Sequence, residues 1–221
     1  MELDFAPILE SRRFLLGGLE LTLLLSALTV LSSLVLGGAV GLARCYGPRW
    51  LRAPLVFYID SMRAVPVLVV LVWTYFALPL VTGVTLPPFW AALAALTAHI
   101  AAYVAEIVRA GVTSVRPGQM RAALALGMSR AEAVRQVILP QAVVRMLPAF
   151  GSIISITIKD TAIATVIAVP EYMNRSQTLA GESFHPIEVF VVAMAVYFVI
   201  LFPATRAVDM VYARLAHLGR S

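Results

Sequence analysis

A run of residues without charge, from Ala64 to Ala105, limits the fold more than any other feature of this sequence. A helix needs about 20 apolar residues to cross the roughly 30 Å of hydrocarbon in a bilayer, so this run is too long for one crossing. The turn-forming residues TGVTLPP at 82–88 divide it. The run therefore predicts two membrane spans, at residues 64–82 and 88–108.

Three more apolar runs predict the other spans. They cover residues 21–43, 146–170 and 189–205. The composition agrees, because 13% of the 221 residues are charged, whereas about 25% are charged in typical soluble domains. We predict an all-α integral membrane fold with five transmembrane helices in a single domain, residues 1–221.

The arginines predict how these spans are oriented, because Lys and Arg accumulate on the cytoplasmic side of a membrane. The segments 44–63, 109–145 and 206–221 hold four, six and three arginines. The N-terminal tail and the two connections on the other side hold two, none and one. We therefore expect the N-terminus outside and the C-terminus in the cytoplasm.

The predicted cytoplasmic segment 110–145 is a charged, helix-forming island between two spans. Ser129 and Glu132 have the spacing of a capping box, in which each side chain accepts a hydrogen bond from a backbone amide of the other residue. Gly127 permits a turn that ends a preceding helix. Pro140 bends a helix because its ring clashes with the preceding turn. The segment thus predicts a helix, a turn, a second helix and a bend.

An apolar face runs along these short helices at helical spacing. It consists of Ala122, Ala123, Leu126, Val134, Val137 and Ile138. Such a face has to be covered by something. We expect another protein to press against the segment at this face.

This segment resembles the cytoplasmic loop of permease subunits in bacterial ATP-binding cassette importers. That loop reads EAA, three residues, G and, after a spacer, LP. The matching residues here are Ala122, Ala123, Gly127, Leu139 and Pro140. Arg121 stands at the position of the glutamate. The flanking strings YVAEIVRAGVTSVRPGQ, ILPQA, KDT and VP look like the polar amino acid uptake branch (histidine, glutamine and glutamate permeases), and the likeness covers roughly residues 55–215.

The resemblance implies a type I importer permease in the bacterial inner membrane, with cytoplasmic coupling helices. Its ATPase-coupling residues would be Arg121, Ala122, Ala123, Leu126, Gly127, Ser129, Glu132, Leu139 and Pro140. The implied partners are an ATPase subunit dimer, a second permease copy (identical or paralogous), an extracytoplasmic solute-binding protein, an amino acid and membrane lipid, but no nucleic acid.

We expect no catalytic site, metal site or cofactor in this chain. The sequence contains no GxxxxGK[ST] phosphate loop and no HExxH or CxxC spacing. The ATP and Mg of an importer would accordingly be used by the partner ATPase. The strings RAALALGMS and MRAVPVLVVLVWTYFALP favour acidic amino acids among the polar substrates of the branch.

Polar residues within or beside the spans are the candidates for the substrate pathway. They are Arg63, Glu106, Lys159, Asp160 and Thr161. A charge at the bilayer centre costs roughly 2.5 to 3.5 kcal/mol and persists only with a partner or a watery cavity. Lys159 and Asp160 are adjacent, so on a helix they point about 100° apart and cannot simply pair with each other. They could meet the two charged groups of an amino acid or form interhelical ion pairs.

The other candidates also have two interpretations each. Arg63 could extend to the cytoplasmic interface or act in the pathway or its gating. Glu106 could form a local pair with Arg109, which we favour, or lie in the pathway. The outer loop 171–188 could dock a solute-binding protein or simply be solvated. A secondary transporter, with Asp160 or Glu106 carrying a coupling proton, and a membrane scaffold are the alternatives to the importer.

Glycines in the first span predict close packing against a neighbouring helix, because a residue without a side chain lets two backbones approach. They are Gly37, Gly38 and Gly41. His99, in the third span, is expected to be a hydrogen-bonded core residue rather than a ligand.

Overall fold

The computed structural model describes residues 3–215, which are almost entirely helical. The helices are α1 Ala6–Glu10, α2 Arg12–Tyr46, α3 Arg49–Ala64, α4 Val67–Val72, α5 Leu78–Thr82, α6 Pro88–Ser114, α7 Pro117–Ala125, α8 Arg130–Ala133, α9 Leu139–Asp160, α10 Tyr172–Ser183 and α11 Pro186–Leu215. Residues 1–2 and 216–221, including the predicted cytoplasmic C-terminus, lie outside the described residues.

Short non-α segments connect some of these helices. The π-helical turns Trp73–Ala77 and Val134–Ile138 join α4 to α5 and α8 to α9, and the 3₁₀ helix Thr161–Ile167 follows α9. Each π turn is followed by an α segment with proline at its second position, Pro79 or Pro140. A proline ring clashes with the carbonyl one turn earlier, and the wider π turn accommodates it. At Pro140 the sequence predicted a bend, whereas the structure has a π turn within one continuous helical stretch, Arg130–Ile167.

Four stretches of the described residues are long and apolar enough to cross a membrane. They are Arg12–Tyr46, Pro88–Ser114, Arg130–Ile167 and Pro186–Val208. A fifth crossing is available if Arg49–Ala64 and Val67–Thr82, whose axes differ by 109°, form one broken span. The predicted apolar runs lie within these helices or the break between α3 and α4, except that the run 146–170 extends past Ile167 to Pro170.

The region around the second predicted span, 64–82, contains a helix that the sequence did not predict. The residues before it form α3, and the break between α3 and α4 lies at Val65, whose backbone is extended with ψ of 133°. The ring of Pro66 explains this conformation, because it disfavours the helical region for the preceding residue. The connection 44–63, which was predicted to be cytoplasmic, is therefore largely an amphipathic helix.

The fourth predicted span, 146–170, is displaced along the chain. The helix α9 already begins at Leu139 and ends at Asp160, from where the 3₁₀ helix continues to Ile167. Arg145 does not interrupt α9, because its guanidinium donates a hydrogen bond to the Ser114 carbonyl oxygen at the end of α6.

The helices α2 and α6 form the centre of the fold, and glycines let them approach closely. A Cβ atom at Gly37 would lie 2.5 Å from the carbonyl oxygen of Ala101, and one at Gly41 would lie 2.7 Å from that of Ala105. The predicted packing role holds for these two residues. It is wrong for Gly38, where a Cβ would meet nothing within 4 Å.

Candidate functional site

The predicted capping box and turn are present between α7 and α8, in the segment that was predicted to be cytoplasmic and is called the inner segment below. The amide of Ser129 donates to Glu132 Oε2 at 2.8 Å, and the amide of Glu132 donates to Ser129 Oγ at 3.3 Å. Gly127 has φ of +84°, a left-handed conformation that favours glycine. Its amide and that of Met128 donate to Leu124 O and Ala123 O at 3.0 and 3.2 Å, which is the Schellman closure of a helix end. The turn between α7 and α8 is thus fixed by local bonds.

The predicted apolar face of this segment divides into two parts. Ala123 and Ile138 are buried against the rest of the chain, and Val134 and Val137 are partly buried. Leu126, in contrast, is 84% exposed. The buried members of the face are therefore covered by the chain itself. An apolar tip remains outward, formed by Ala122, Leu124, Ala125 and Leu126.

The other predicted coupling residues lie around this tip. Arg121, Gly127, Ser129, Glu132 and Pro140 are exposed, and Leu139 is partly buried. Besides the bond from Arg145 to Ser114, Gln141 Nε2 donates to Val137 O at 3.0 Å and lies 3.5 Å from Gln119 Oε1. The segment is thus held to the ends of α6 and α9 while its tip stays accessible.

Lys159 lies in a groove between α9 and α11. The groove has a volume of about 240 Å³ and is lined by Ser152, Ser155, Lys159 and Thr205 together with apolar side chains. Lys159 is exposed and Asp160 is partly buried. Neither forms an ion pair with another of the residues that the structure describes. The interhelical pairing considered for them is therefore not seen among the side chains that the structure describes.

Thr161 is separated from this groove. Its side chain is fully buried, and its hydroxyl donates to the carbonyl oxygen of Ile158 at 2.8 Å. The sequence grouped it with Lys159 and Asp160, but the structure does not bring the three side chains to one surface.

Glu106 lies between two arginines at the inner ends of α2 and α6. Arg44 Nη1 is 2.6 Å from its Oε2, while Arg109 Nε and Nη2 are 3.0 and 2.5 Å from its Oε1. The local pair with Arg109 that we favoured is present, and Arg44 is a partner that the sequence did not predict. Because both carboxylate oxygens are bound by guanidinium groups, the geometry does not favour Glu106 as a pathway residue or a proton carrier.

Arg63 ends α3 and contacts α6. Its guanidinium carbon lies 5.6 Å from the centroid of the Tyr103 ring, within the distance of a cation–π contact. The Tyr103 ring also lies near His99, with ring centroids 5.3 Å apart. His99 is buried as predicted, but its Nδ1 has no hydrogen-bond partner among the described residues.

The chain was compared with known proteins. Residues 22–217 match the model of the family described as "Binding-protein-dependent transport system inner membrane component". The chain belongs to this family. It is 36% identical over 202 residues to the glutamine transport system permease protein GlnP of Escherichia coli (strain K12), covering 91% of this chain and 92% of GlnP.

Two further comparisons agree with this result. The permease is 36% identical over 214 residues to the octopine transport system permease protein OccM of Rhizobium meliloti, covering 92% and 87% of the two chains. It superposes on a chain of a crystal structure of an amino acid ABC transporter with histidines, with a TM-score of 0.90, 32% identity and coverage of 97% and 100%. The predicted importer permease family and all-α membrane fold are confirmed.

One buried cluster in the permease was missed from the sequence. Glu171 is fully buried at the start of α10, where its carboxylate accepts hydrogen bonds from the amides of Met173 and Asn174 at 2.9 and 2.7 Å. The Thr22 hydroxyl of α2 donates to it at 3.1 Å and accepts from the Tyr172 amide at 3.0 Å. Burial raises the pKa of Glu171, against the opposing effect of these hydrogen bonds.

Arg175 ties the same loop to α2 by a second set of contacts. Its Nη1 donates to the Phe14 carbonyl oxygen at 2.6 Å, and its Nε donates to that of Pro170 at 2.9 Å. A Cβ atom at Gly18 would lie 2.8 Å from Arg175 Cδ. In the sequence, this cluster appears only as a loop of mixed charge after a span. That pattern does not indicate which residues of α2 the loop contacts.

Proposed function

We propose that this permease imports an amino acid as one half of a two-permease pathway, driven by separate ATPase subunits that seat against residues 118–140. The observation that carries the proposal is the exposed apolar tip around Leu126, held by a capping box and a Schellman turn. Large apolar side chains outside a bilayer are stabilised when another chain covers them. A rigid tip is also what a moving partner would need in order to transmit a displacement.

The chain offers a direct route for that displacement. Helix α8, the π turn and helix α9 follow one another without a loop, and α9 has 22 residues, so it is about 33 Å long at 1.5 Å per residue. Lys159 lies at the opposite end of α9 from the tip. A push on Leu126 would therefore tilt the helix that carries the groove, which supports alternating access driven from the inner side.

For the substrate we propose a polar α-amino acid, with glutamate and aspartate the first to test. An amino acid zwitterion presents one carboxylate and one ammonium group. Lys159 and Asp160 are charges of opposite sign and have no ion-pair partner among the side chains that the structure describes. The names of the relatives support an amino acid or amino acid derivative. They include glutamine and octopine, and therefore support a polar side chain more strongly than an acidic one.

The remaining parts of the importer are also proposals. The permease would bind no cofactor itself, and the partner ATPase would use ATP and Mg. A second permease copy would complete the pathway, and a solute-binding protein would deliver the amino acid from outside. The excess of arginine in the inner connections supports an external N-terminus in the bacterial inner membrane.

The decisive experiment purifies the tagged permease from its host and measures co-purifying chains, ATPase activity and amino acid uptake. Gly127→Trp should abolish transport-coupled ATPase activity while the protein still inserts in the membrane. Gly83→Trp is the matched control, because Gly83 also has a left-handed backbone with φ of +72° and open space around it, but lies in the other predicted turn. Gly83→Trp should retain coupling.

Two outcomes would contradict the proposal. Normal coupling in Gly127→Trp would show that the inner tip is not the transmitting surface. A permease that moves solute in vesicles on an ion gradient, without ATP or a second kind of chain, would favour a secondary transporter.

A further inference from the structure

A second polar pocket lies at the inner ends of α2 and α6, beside the amphipathic helix α3. Its volume is about 420 Å³, and its polar lining consists mainly of Arg44, Arg52, Arg109 and Tyr46. It is distinct from the groove that contains Lys159, with which it shares no lining residue. The proposed function assigns no role to this pocket.

The charges around the pocket do not balance. Three arginines line it, and the carboxylate paired with them is Glu106, which binds Arg44 and Arg109. Arg52 forms no ion pair with another side chain that the structure describes, and Arg109 remains 36% exposed. The pocket therefore has excess positive charge, with guanidinium groups free to bind an anion.

Exposed aromatic residues beside this pocket favour a position at the surface of the membrane. Trp50 and Phe57 of α3 are each 75% exposed, and Tyr46 is 47% exposed. Trp50 and Phe57 are seven positions apart, so they share one face of α3. Arg52 belongs to the same helix. Trp and Tyr are enriched at the level of the lipid headgroups. An apolar ring such as Phe57 is suited to the acyl chains just below.

We propose that this pocket binds the phosphate group of an anionic phospholipid from the inner leaflet. Arginine binds phosphate through parallel N–H donors, and basic pockets between transmembrane helices on the cytoplasmic side are suited to lipid headgroups. Arg52 and Arg109 supply the free donors, while Glu106 holds Arg44 in position. Tyr46 can add a hydroxyl donor at the edge of the pocket.

The site has a consequence for the inner segment. Val115 and Pro117 also line the pocket, and they lie where α6 ends and α7 begins. A lipid phosphate bound there would therefore brace the base of the segment that carries the Leu126 tip. This inference concerns lipid binding and does not depend on which solute is transported.

The test measures lipid retention and thermal stability of the full-length permease, purified with whatever subunits accompany it and stripped of endogenous lipid. The probes are dioctanoyl phosphatidylglycerol, dioctanoyl phosphatidylcholine and inorganic phosphate. We expect the phosphatidylglycerol to bind and stabilise the protein most. Arg52→Gln should weaken that binding about ten-fold, since a lost hydrogen bond between charged groups is worth at least that factor. Arg52→Lys should recover only part of it, because lysine keeps the charge but lacks the parallel donors.

Arg49→Gln is the matched control, because Arg49 lies on the same helix but does not line the pocket. It should bind the lipid as the unchanged protein does. Equal losses in Arg49→Gln and Arg52→Gln would overturn the site in favour of diffuse attraction to the basic surface. Equal stabilisation by inorganic phosphate would show that the pocket binds a free anion rather than a lipid. Loss of the ATPase subunit from Arg52→Gln, with lipid binding unchanged, would assign the pocket to that subunit.

Discussion

The segment 117–138, proposed to be on the inner side, and the segment 168–185, proposed to be on the outer side, both connect membrane helices. They are called the inner and outer segments, and they differ in where their polar groups find partners. The inner segment closes its backbone with its own capping box and turn, and it leaves Leu126 84% exposed. The outer segment buries Glu171 completely and ties Arg175 to α2. One is fixed locally and presents an apolar surface, whereas the other is fixed by distant parts of the same chain.

This difference distinguishes a surface for a partner from a part of the permease body. Local bonds keep a segment in shape without anchoring its tip, so the tip can be held and moved by another protein. Buried polar bonds between α10 and α2 tie the outer segment to the first span, because breaking them leaves desolvated groups without partners. Substitutions should therefore affect stability in the outer segment and coupling in the inner one.

The largest effect is expected from Glu171→Ala. It removes the acceptor for the Met173 and Asn174 amides and for the Thr22 hydroxyl, which should lower the free energy of unfolding by about 2 to 4 kcal/mol. Thermal unfolding and proteolysis of the outer segment measure it. Glu182→Ala is the control, since Glu182 is an exposed carboxylate on the same helix, and it should unfold as the unchanged protein does. A similar loss in both variants would argue against the buried cluster.

Leu126→Asp tests the inner segment. Because the side chain is already exposed, stability should change little, but the covered Leu would contribute about 1.5 to 3 kcal/mol to the contact with the ATPase. We expect about ten-fold or greater loss of ATPase co-purification and coupled activity. Phe184→Asp is the control, because Phe184 is 88% exposed in the outer segment, and it should leave the ATPase bound. If the Leu126→Asp variant retained the ATPase, the ATPase contact would have to lie at other residues.

The pH dependence of stability should also differ between the two segments. Since burial raises the pKa of Glu171, the folded state holds this proton more tightly than the unfolded state. Its stabilising effect is full below about pH 4.3, the ordinary pKa of glutamate, and is lost as pH rises through the folded pKa. The slope cannot exceed about 1.4 kcal/mol per pH unit. Glu171→Gln should remove it in thermal unfolding measured across this range, and an unchanged slope would assign it to other groups.

The sequence predicted the features that depend on neighbours within a few residues. The Ser129–Glu132 box and the Gly127 turn both follow from backbone geometry and local bonds. The helices containing the predicted spans likewise follow from apolar runs, since the bilayer acts on length and composition alone.

Partners distant in sequence could not be predicted in this way. Arg44 and Glu106 are 62 positions apart, and Thr22 and Glu171 are 149 apart, so their meeting depends on how the helices pack. The same is true of Ala123 and Leu126, which share an apolar pattern although one is buried and the other exposed. The untested pathway roles of Lys159 and Asp160 depend in addition on a second permease and a substrate.

The smallest effect, and the sharpest test of a stiff inner segment, is expected from Ser129→Ala. Loss of the cap should cost about 1 kcal/mol, because the Glu132 amide loses its acceptor while the exposed tip is unchanged. ATPase binding should then persist, whereas the uptake per ATP hydrolysed should fall, since a frayed α8 transmits less of the displacement to α9. Ser129→Asp is the matched control, because Asp also caps helices, and it should restore the ratio. An unchanged ratio in Ser129→Ala would mean that the Leu126 contact matters but the stiffness of the capped helix does not.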